Sequence, residues 1–282
     1  MKYVLIAHIN DGGCSDIYVC KKIEVEENQS ANFSQKLYVA KISGIKMRPH
    51  DAMPPSELLH GEAEILRELT DAKVEGISKY CDFANLSDYS MLIMNYIRGR
   101  ELFEIASDMN YRVEPFRVKK WMIKIAKILL CVHPLGIIHR DIKMENILID
   151  GRDEPHVIDW GFATFIKDIK PDGQNAVCGT LESMAPETYD RVYGTASDVW
   201  SLGVVLYNLL TRVMLFTVGR LTYTKNYGFF LSIDHKNLQY SLLPYKHREY
   251  LVGLFEKIFT LHHHRISMRE FLKDIENWKI DS

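Results

Sequence analysis

The chain has 282 residues, 47% hydrophobic and 26% charged, enough to bury a substantial core in one large domain or two lobes. A formal net charge of −2 supplies no global basic field, so neither nucleic acid nor an anionic membrane is the expected partner. Five scattered cysteines without C-x-x-C spacing, no secretory signal in "MKYVLIAHIN", and no apolar run of about 18 residues predict a soluble intracellular protein in a reducing compartment.

In chain order, the first 45 residues read as strands: "KYVLIAHI", "CSDIYVCKKIEV" and "KLYVAKIS". "NDGG" (10–13) is a turn signal, and the polar stretch "EENQSANFSQ" (26–35) predicts a hairpin loop. A helix follows over 56–70, with Leu58, Glu62, Ile65, Leu66 and Leu69 near helical spacing. "YSMLIMNYI" (89–97) predicts another strand. Beyond residue 100 the pattern turns helical. "VKKWMIKIAKILLCVH" sets Trp121, Ile125, Ile128, Leu129 and Val132 against Lys119, Lys120, Lys124 and Lys127. "SDVWSLGVVLYNLLT" (197–211) is apolar on most sides, as a helix buried within a lobe would be. The histidines of "LHHHR" (261–265) lack metal-ligand spacing and read as a solvated loop or helix end.

The organisation is an α+β chain: a β-rich lobe over 1–94 with one main helix, a hinge over 95–100, and a larger helical lobe over 101–282, with a cleft between lobes as the natural ligand site. Within "GIIHRDIKMENILIDGRDEPHVIDWGFAT" (136–164), Asp141, Lys143 and Asn146 fall within six positions, and Asp159 precedes a glycine. Carboxylates beside apolar runs cost desolvation energy unless charge pairing or proton transfer employs them. Phosphoryl transfer needs a phosphate cradle, cations, metal ligands and a carboxylate to position the hydroxyl. "INDGGCSDIYV", Lys41, Glu62, Asp141, Asn146 and Asp159 offer these in order.

The segments resemble those of a eukaryotic-type Ser/Thr protein kinase catalytic domain: "IIHRDIKMENILID" the catalytic loop, "VIDWGFA" the D-F-G segment, "GTLESMAPE" the peptide-docking segment and "SDVWSLGVVLY" the D-x-W-S-x-G helix. The resemblance implies a bilobal kinase fold that uses ATP and Mg²⁺, or Mn²⁺ in its place. Lys41, locked by Glu62, would pair with the α- and β-phosphates. Asn146 and Asp159 would hold the metal, Asp141 would accept the hydroxyl proton, and Lys143 would contact the γ-phosphate. Met94 would sit behind the purine, and backbone groups of Asn95 and Ile97 would bond its edge. Ile17, Ala40 and Leu148 would sandwich the ring, and Glu101 would reach the ribose. Arg140 would brace the activation segment (159–187), Glu187 would pair with Arg265, and Asp198 would anchor the catalytic loop.

Departures from the family pattern carry further expectations. The loop glycines become Asn10, Gly12 and Ser15, with Gly13 beside them. Trp160 replaces phenylalanine and would stack with Leu66, Tyr80 and His139. Ala176 stands where many relatives carry an activating phosphothreonine, so the enzyme is expected to work without phosphate there, Asp172 or backbone carbonyls serving Arg140. Lys143 in "DIKMEN" and Gly179-Thr180 point to serine and threonine acceptors. Glu101, Glu145 and Glu182 favour basic protein substrates. A catalytically dead scaffold is the competing reading, and the intact Lys41, Glu62, Asp141, Asn146 and Asp159 argue against it. The brevity, without regulatory domains, resembles minimal kinases of large DNA viruses, a baculovirus-type kinase being nearest. That likeness would imply the host cytoplasm or nucleus and arginine-rich DNA-packaging proteins.

Overall fold

The computed structural model describes residues 2–11, 15–25, 31–44, 54–109, 112–170, 177–215 and 239–280. The chain divides into two units, Met1–Arg98 with Asp159–Gly161, and Gly99–Ile158 with Phe162–Ser282.

The first unit is a five-stranded antiparallel sheet in the order β1-β2-β3-β5-β4, built from β1 (Tyr3–Asp11), β2 (Asp16–Val25), β3 (Ala31–Gly44), β4 (Tyr80–Asn85) and β5 (Tyr89–Asn95). One helix, α1 (Pro55–Asp71), packs on β3, β4 and β5. Proline at its first positions suits a helix start, where an N–H would have no partner anyway. Its buried face is Leu59, Glu62, Ala63, Ile65, Leu66 and Leu69, so Leu59 and not Leu58 begins the stripe. The polar stretch expected to be a loop over 26–35 is partly strand, because β3 starts at Ala31 and pairs Ala31 with Val25 and Phe33 with Ile23. Polar composition did not prevent the hairpin ladder from continuing, since the backbone groups pair whatever the side chains are. Strand β4 carries no clear alternation in sequence.

In the second unit, α3 (Pro115–Val132) follows β6 (Gly99–Glu101) and the short α2 (Leu102–Ser107). Trp121, Met122, Ile125, Ala126, Leu129 and Val132 of α3 are buried, a helical stripe that packs against α5 (Thr195–Thr211) and α7 (Met268–Asn277). Helix α5 is buried from Ser197 to Thr211, which accounts for its near-uniform apolarity. Helix α6 (Arg248–Ile258) also packs on it, and α7 opens with a capping box between Ser267 and Glu270. Two small antiparallel ladders position the chemistry. Strand β7 (Ile137–Ile138) pairs with β10 (Thr164–Phe165), and β6-β8-β9 joins β8 (Ile147–Asp150) to β9 (Pro155–Val157). A short helix α4 (Pro186–Tyr189) precedes α5.

Candidate active site

The loop 139–146 is stretched between β7 and β8, and its start is held by Asp198, which is fully buried near the N-terminal end of α5. Asp198 Oδ2 accepts the backbone N–H of His139 at 3.0 Å and lies 2.9 Å from His133 Nε2, while Oδ1 accepts the N–H of Arg140 at 3.0 Å. These bonds hold Arg140 at φ +66°, a conformation most side chains avoid. Burial would push the Asp198 carboxyl up, but the His133 hydrogen bond and charge and the His139 N–H outweigh it and hold it below the usual carboxylate range. A depressed carboxyl stabilises the fold above its unfolded value and loses that contribution as pH falls through its folded value. Asp198→Asn is therefore expected to cost about 1–3 kcal/mol at neutral pH. It should also flatten the loss of stability below about pH 5, as read by urea titrations along a pH series. An unchanged acid limb would remove Asp198 from this role.

Asp141 is 2% exposed, and both carboxylate oxygens are fixed from opposite sides. Oδ1 accepts the Thr180 N–H at 2.8 Å, and Oδ2 accepts Asn146 Nδ2 at 2.9 Å and lies 3.2 Å from Lys143 Nζ. Lys143 Nζ also donates to Thr180 Oγ1 at 2.7 Å, which ties the loop to the activation segment. The Asp141 N–H donates to His139 Nδ1 at 3.2 Å, and His139 Nε2 lies 3.2 Å from the Ile158 carbonyl, a pattern that fits the Nε2–H tautomer. Gly179 turns the chain at φ +108°, and a Cβ there would come within 2.7 Å of the Arg140 carbonyl, so the close approach requires glycine.

In the first unit, Lys41 Nζ bridges two carboxylates, Glu62 Oε2 at 2.8 Å and Asp159 Oδ1 at 2.9 Å. Burial disfavours the charged lysine, yet Glu62 and Asp159 outweigh it and hold the ammonium above the usual lysine range. Burial in turn pushes the Glu62 carboxyl up, and Lys41 draws it partly back. Asp159 sits at φ +57°, and a Cβ on Gly161 would stand 3.3 Å from Asp159 Oδ1 and 3.4 Å from Glu62 Oε2. Glycine there keeps the triad's surroundings open.

The sheet register corrects one assignment. Ile17 is the cross-strand partner of Lys41, and Val39 that of Val19 and Met94, so Ile17, Val19, Val39, Lys41 and Met94 share one face. Ala40 pairs with Tyr18 and Ile93 on the opposite face, where it is fully buried with Cys20 and Ile93. Ala40 therefore does not line the lysine's face, and Val39, two residues before Lys41, takes that place. Ala40→Val is expected to cost about 1–3 kcal/mol of stability by overpacking, with Mg-ATP affinity unchanged. Val39→Ala should change nucleotide affinity and leave melting nearly unaltered. Calorimetric titration and thermal melting separate the two, and the reverse pattern would restore the first assignment.

The remaining positions fall as follows. Met94 is 7% exposed on β5, the Asn95 N–H donates to the Lys79 carbonyl at 3.1 Å, and Ile97 is half-buried. In the second unit Glu101 on β6 and Leu148 on β8 are cross-strand partners. Gly12 and Gly13 lie outside the described residues, as do Asp172 and Ala176. Leu66 and Trp160 are fully buried and Tyr80 half-buried in the first unit, and His139 is fully buried in the second. His133, as a partner of Asp198, has no sequence signal: a lone histidine at a helix end more often reads as packing.

Mg²⁺ takes oxygen ligands and is commonly shared between a few protein oxygens and substrate phosphates. The donors present fit that chemistry. Asn146 uses its amide nitrogen on the Asp141 carbonyl and carboxylate, both at 2.9 Å, which leaves its amide oxygen as the acceptor end. The Asp159 side chain is 46% exposed, open to a cation. Among the described residues no group of three or more His, Cys, Asp or Glu could hold a metal by itself.

A triad of a strand lysine, a helix glutamate and Asp159 in the unit of the five-stranded sheet, and an aspartate–lysine–asparagine loop anchored in a helical unit, define the class as a kinase-type α+β protein. The protein kinase domain model matches residues 5–275, and the chain belongs to that family. Among its relatives, CBL-interacting protein kinase 31 of Oryza sativa is 37% identical over 128 residues, covering 44% of this chain and 28% of the relative. The "Probable serine/threonine-protein kinase KIN1 homolog" of Enterocytozoon bieneusi is 32% identical over 212 residues, 74% of this chain and 32% of that protein. CDPK-related kinase 7 of Arabidopsis thaliana is 31% identical over 173 residues, 59% of this chain and 29% of the relative. The chain thus covers under a third of these relatives' length.

Proposed function

We infer that the chain transfers the γ-phosphate of ATP to serine and threonine hydroxyls of protein substrates, with a preference for basic ones. The observation that carries this reading is the Asp141 carboxylate, buried, oriented by Thr180 and Asn146, and paired with Lys143. A carboxylate so fixed orients an incoming hydroxyl and accepts its proton as the oxygen attacks phosphorus. Lys143 places a positive charge where the transferring group gains negative charge, and its bond to Thr180 Oγ1 keeps it there. Lys41, held by Glu62, offers a charge for the other phosphates, and Ile17 and Val39 present apolar surface on the same face for the base. Asn146 and Asp159 would hold Mg²⁺, which when bound would supply charge neutralisation for the phosphates.

Basic substrates are supported by the acids around Glu101. Burial pushes the Glu101 carboxyl up, Glu104 and Glu145 push it further, and Lys143 draws it back. A substrate arginine there would form charge-assisted bonds and relieve that repulsion. Activity without activation-segment phosphate is supported by Arg140, whose Nε already donates to the Phe162 carbonyl at 2.5 Å. The five unclustered cysteines support a reducing compartment, cytoplasm or nucleus.

The test is transfer of labelled γ-phosphate from Mg-ATP by phosphatase-treated protein to matched basic, neutral and acidic serine peptides. Transfer strongest to the basic peptide is expected. A folded protein that shifts its melting with Mg-ATP but labels none of them would favour the scaffold reading instead.

A further inference from the structure

We propose that Tyr193 is a positioning residue for this reaction, latching the activation segment to Arg140 through groups of the polypeptide alone. The inference rests on the kinase reading above and adds the residue that replaces an external phosphate.

Tyr193 lies between α4 and α5 and is 8% exposed. Its two ends face different partners. The hydroxyl oxygen accepts the backbone N–H of Cys178 at 3.2 Å, and the Cys178 Sγ lies 3.9 Å from it. The ring face carries the Arg140 guanidinium, with Cζ 5.2 Å from the ring centroid, within the range where a cation is attracted to an aromatic face. The edge of that guanidinium donates from Nε to the Phe162 carbonyl. Arg140 is thus held between the beginning of the activation segment, at Phe162, and its later part, at Cys178, with Tyr193 as the bridge.

The consequence for chemistry follows along the backbone. Cys178 is one residue from Gly179, which packs on the Arg140 carbonyl, and two from Thr180, whose N–H and hydroxyl orient Asp141 and Lys143. If the hydroxyl of Tyr193 released Cys178, the N–H of Thr180 would lose its fixed place against Asp141 Oδ1. Tyr193 acts on the carboxylate only through this chain, without touching it. A buried tyrosine hydroxyl ordinarily needs some hydrogen-bond partner, and its ring only packing. Here both its polar end and its ring face are used on the two segments that must stay in register.

The experiment uses the full chain, phosphatase-treated, as wild type, Tyr193→Phe and Tyr193→Leu. Phenylalanine keeps the packing and the ring for Arg140 and removes only the bond to Cys178; leucine removes both contacts. Three readouts are taken: exchange of the amides over 177–182 by mass spectrometry, steady-state kcat and KM with a basic serine peptide, and thermal melting. Expected results are faster exchange at Cys178 in Tyr193→Phe with melting unchanged, and kcat about 3–10-fold lower. Tyr193→Leu should lower kcat about 10–100-fold, with KM for ATP unchanged in both variants. Unaltered Cys178 exchange in Tyr193→Phe, or kcat within about twofold of wild type in a folded Tyr193→Leu, would overturn the latch. So would activity confined to phosphorylated wild-type protein. Should wild type transfer no phosphate at all, the kinase reading fails, and the exchange at Cys178 still decides whether the latch exists.

Discussion

Asp141→Asn is expected to lower γ-phosphate transfer by about 10²–10⁴-fold, the loss typical when a positioned general base is removed. The amide matches the carboxylate in shape, and its oxygen can still accept the Thr180 N–H that now bonds Oδ1 at 2.8 Å. Its NH₂, however, would face the Nδ2 of Asn146, now a 2.9 Å donor to Oδ2, and the Lys143 ammonium at 3.2 Å. The variant loses a proton acceptor and sets donor against donor. Lys41, Glu62 and Asp159 hold one another independently of Asp141, so binding of Mg-ATP should persist. Rate measurements beside a melting shift with Mg-ATP separate the two effects. Near-normal turnover would mean that another group takes the proton; loss of turnover and nucleotide response together would mean that the fold, not the chemistry, was damaged.

Arg265→Ala should destabilise the fold more than any of the other substitutions, costing about 3–5 kcal/mol, because it leaves a buried carboxylate without its partner. Arg265 and Glu187 are 7% and 4% exposed and pair in a fork, Nη1 to Oε1 and Nη2 to Oε2, the latter at 2.9 Å. The other donors reach the carbonyls of Ile258 at 3.0 Å, Ala196 at 2.8 Å and Thr260 at 2.9 Å, so the guanidinium is fully satisfied. Its face lies 4.9 Å from the Trp200 ring centroid. One side chain therefore ties α4, α5 and the turn after α6. Urea unfolding of Arg265→Ala, Glu187→Ala and the double variant would show the effect. The double variant should lose much less than the sum, since removing both charges leaves neither stranded. A single-variant loss below about 1 kcal/mol would place the pair among solvated surface bridges.

How far the sequence reaches depends on the range of the interaction read. Helices α1 and α3 show themselves in their periodicity, because burial on one face repeats every three to four residues, and α5 in its near-uniform apolarity, because it is buried all round. Strand β4 and the start of β3 do not, since half-buried strands of polar composition leave little contrast. The side of the sheet taken by Ala40 is instructive. Alternation in "LYVAK" already sets Val39, not Ala40, beside Lys41, but a motif read by its letters conceals the period. The ladder that pairs Ile17 with Lys41 and Tyr18 with Ala40 makes the phase unambiguous.

By itself, the sequence determined which chemical groups exist and in what order: a lysine on a strand, a glutamate on a helix, the Asp141–Lys143–Asn146 loop and the aspartate before a glycine. Spacing along a chain carries that information because the loop is local. Resemblance to the family implies the Glu187–Arg265 pair and the Asp198 anchor, but tertiary structure alone decided the atoms and distances that satisfy each buried group. Asp141 meets the N–H of Thr180 across 39 residues, Arg140 meets Asp198 across 58, and Arg265 meets Glu187 across 78. No local period encodes such pairs. They form because a charge taken out of water must find its partner wherever the fold brings one.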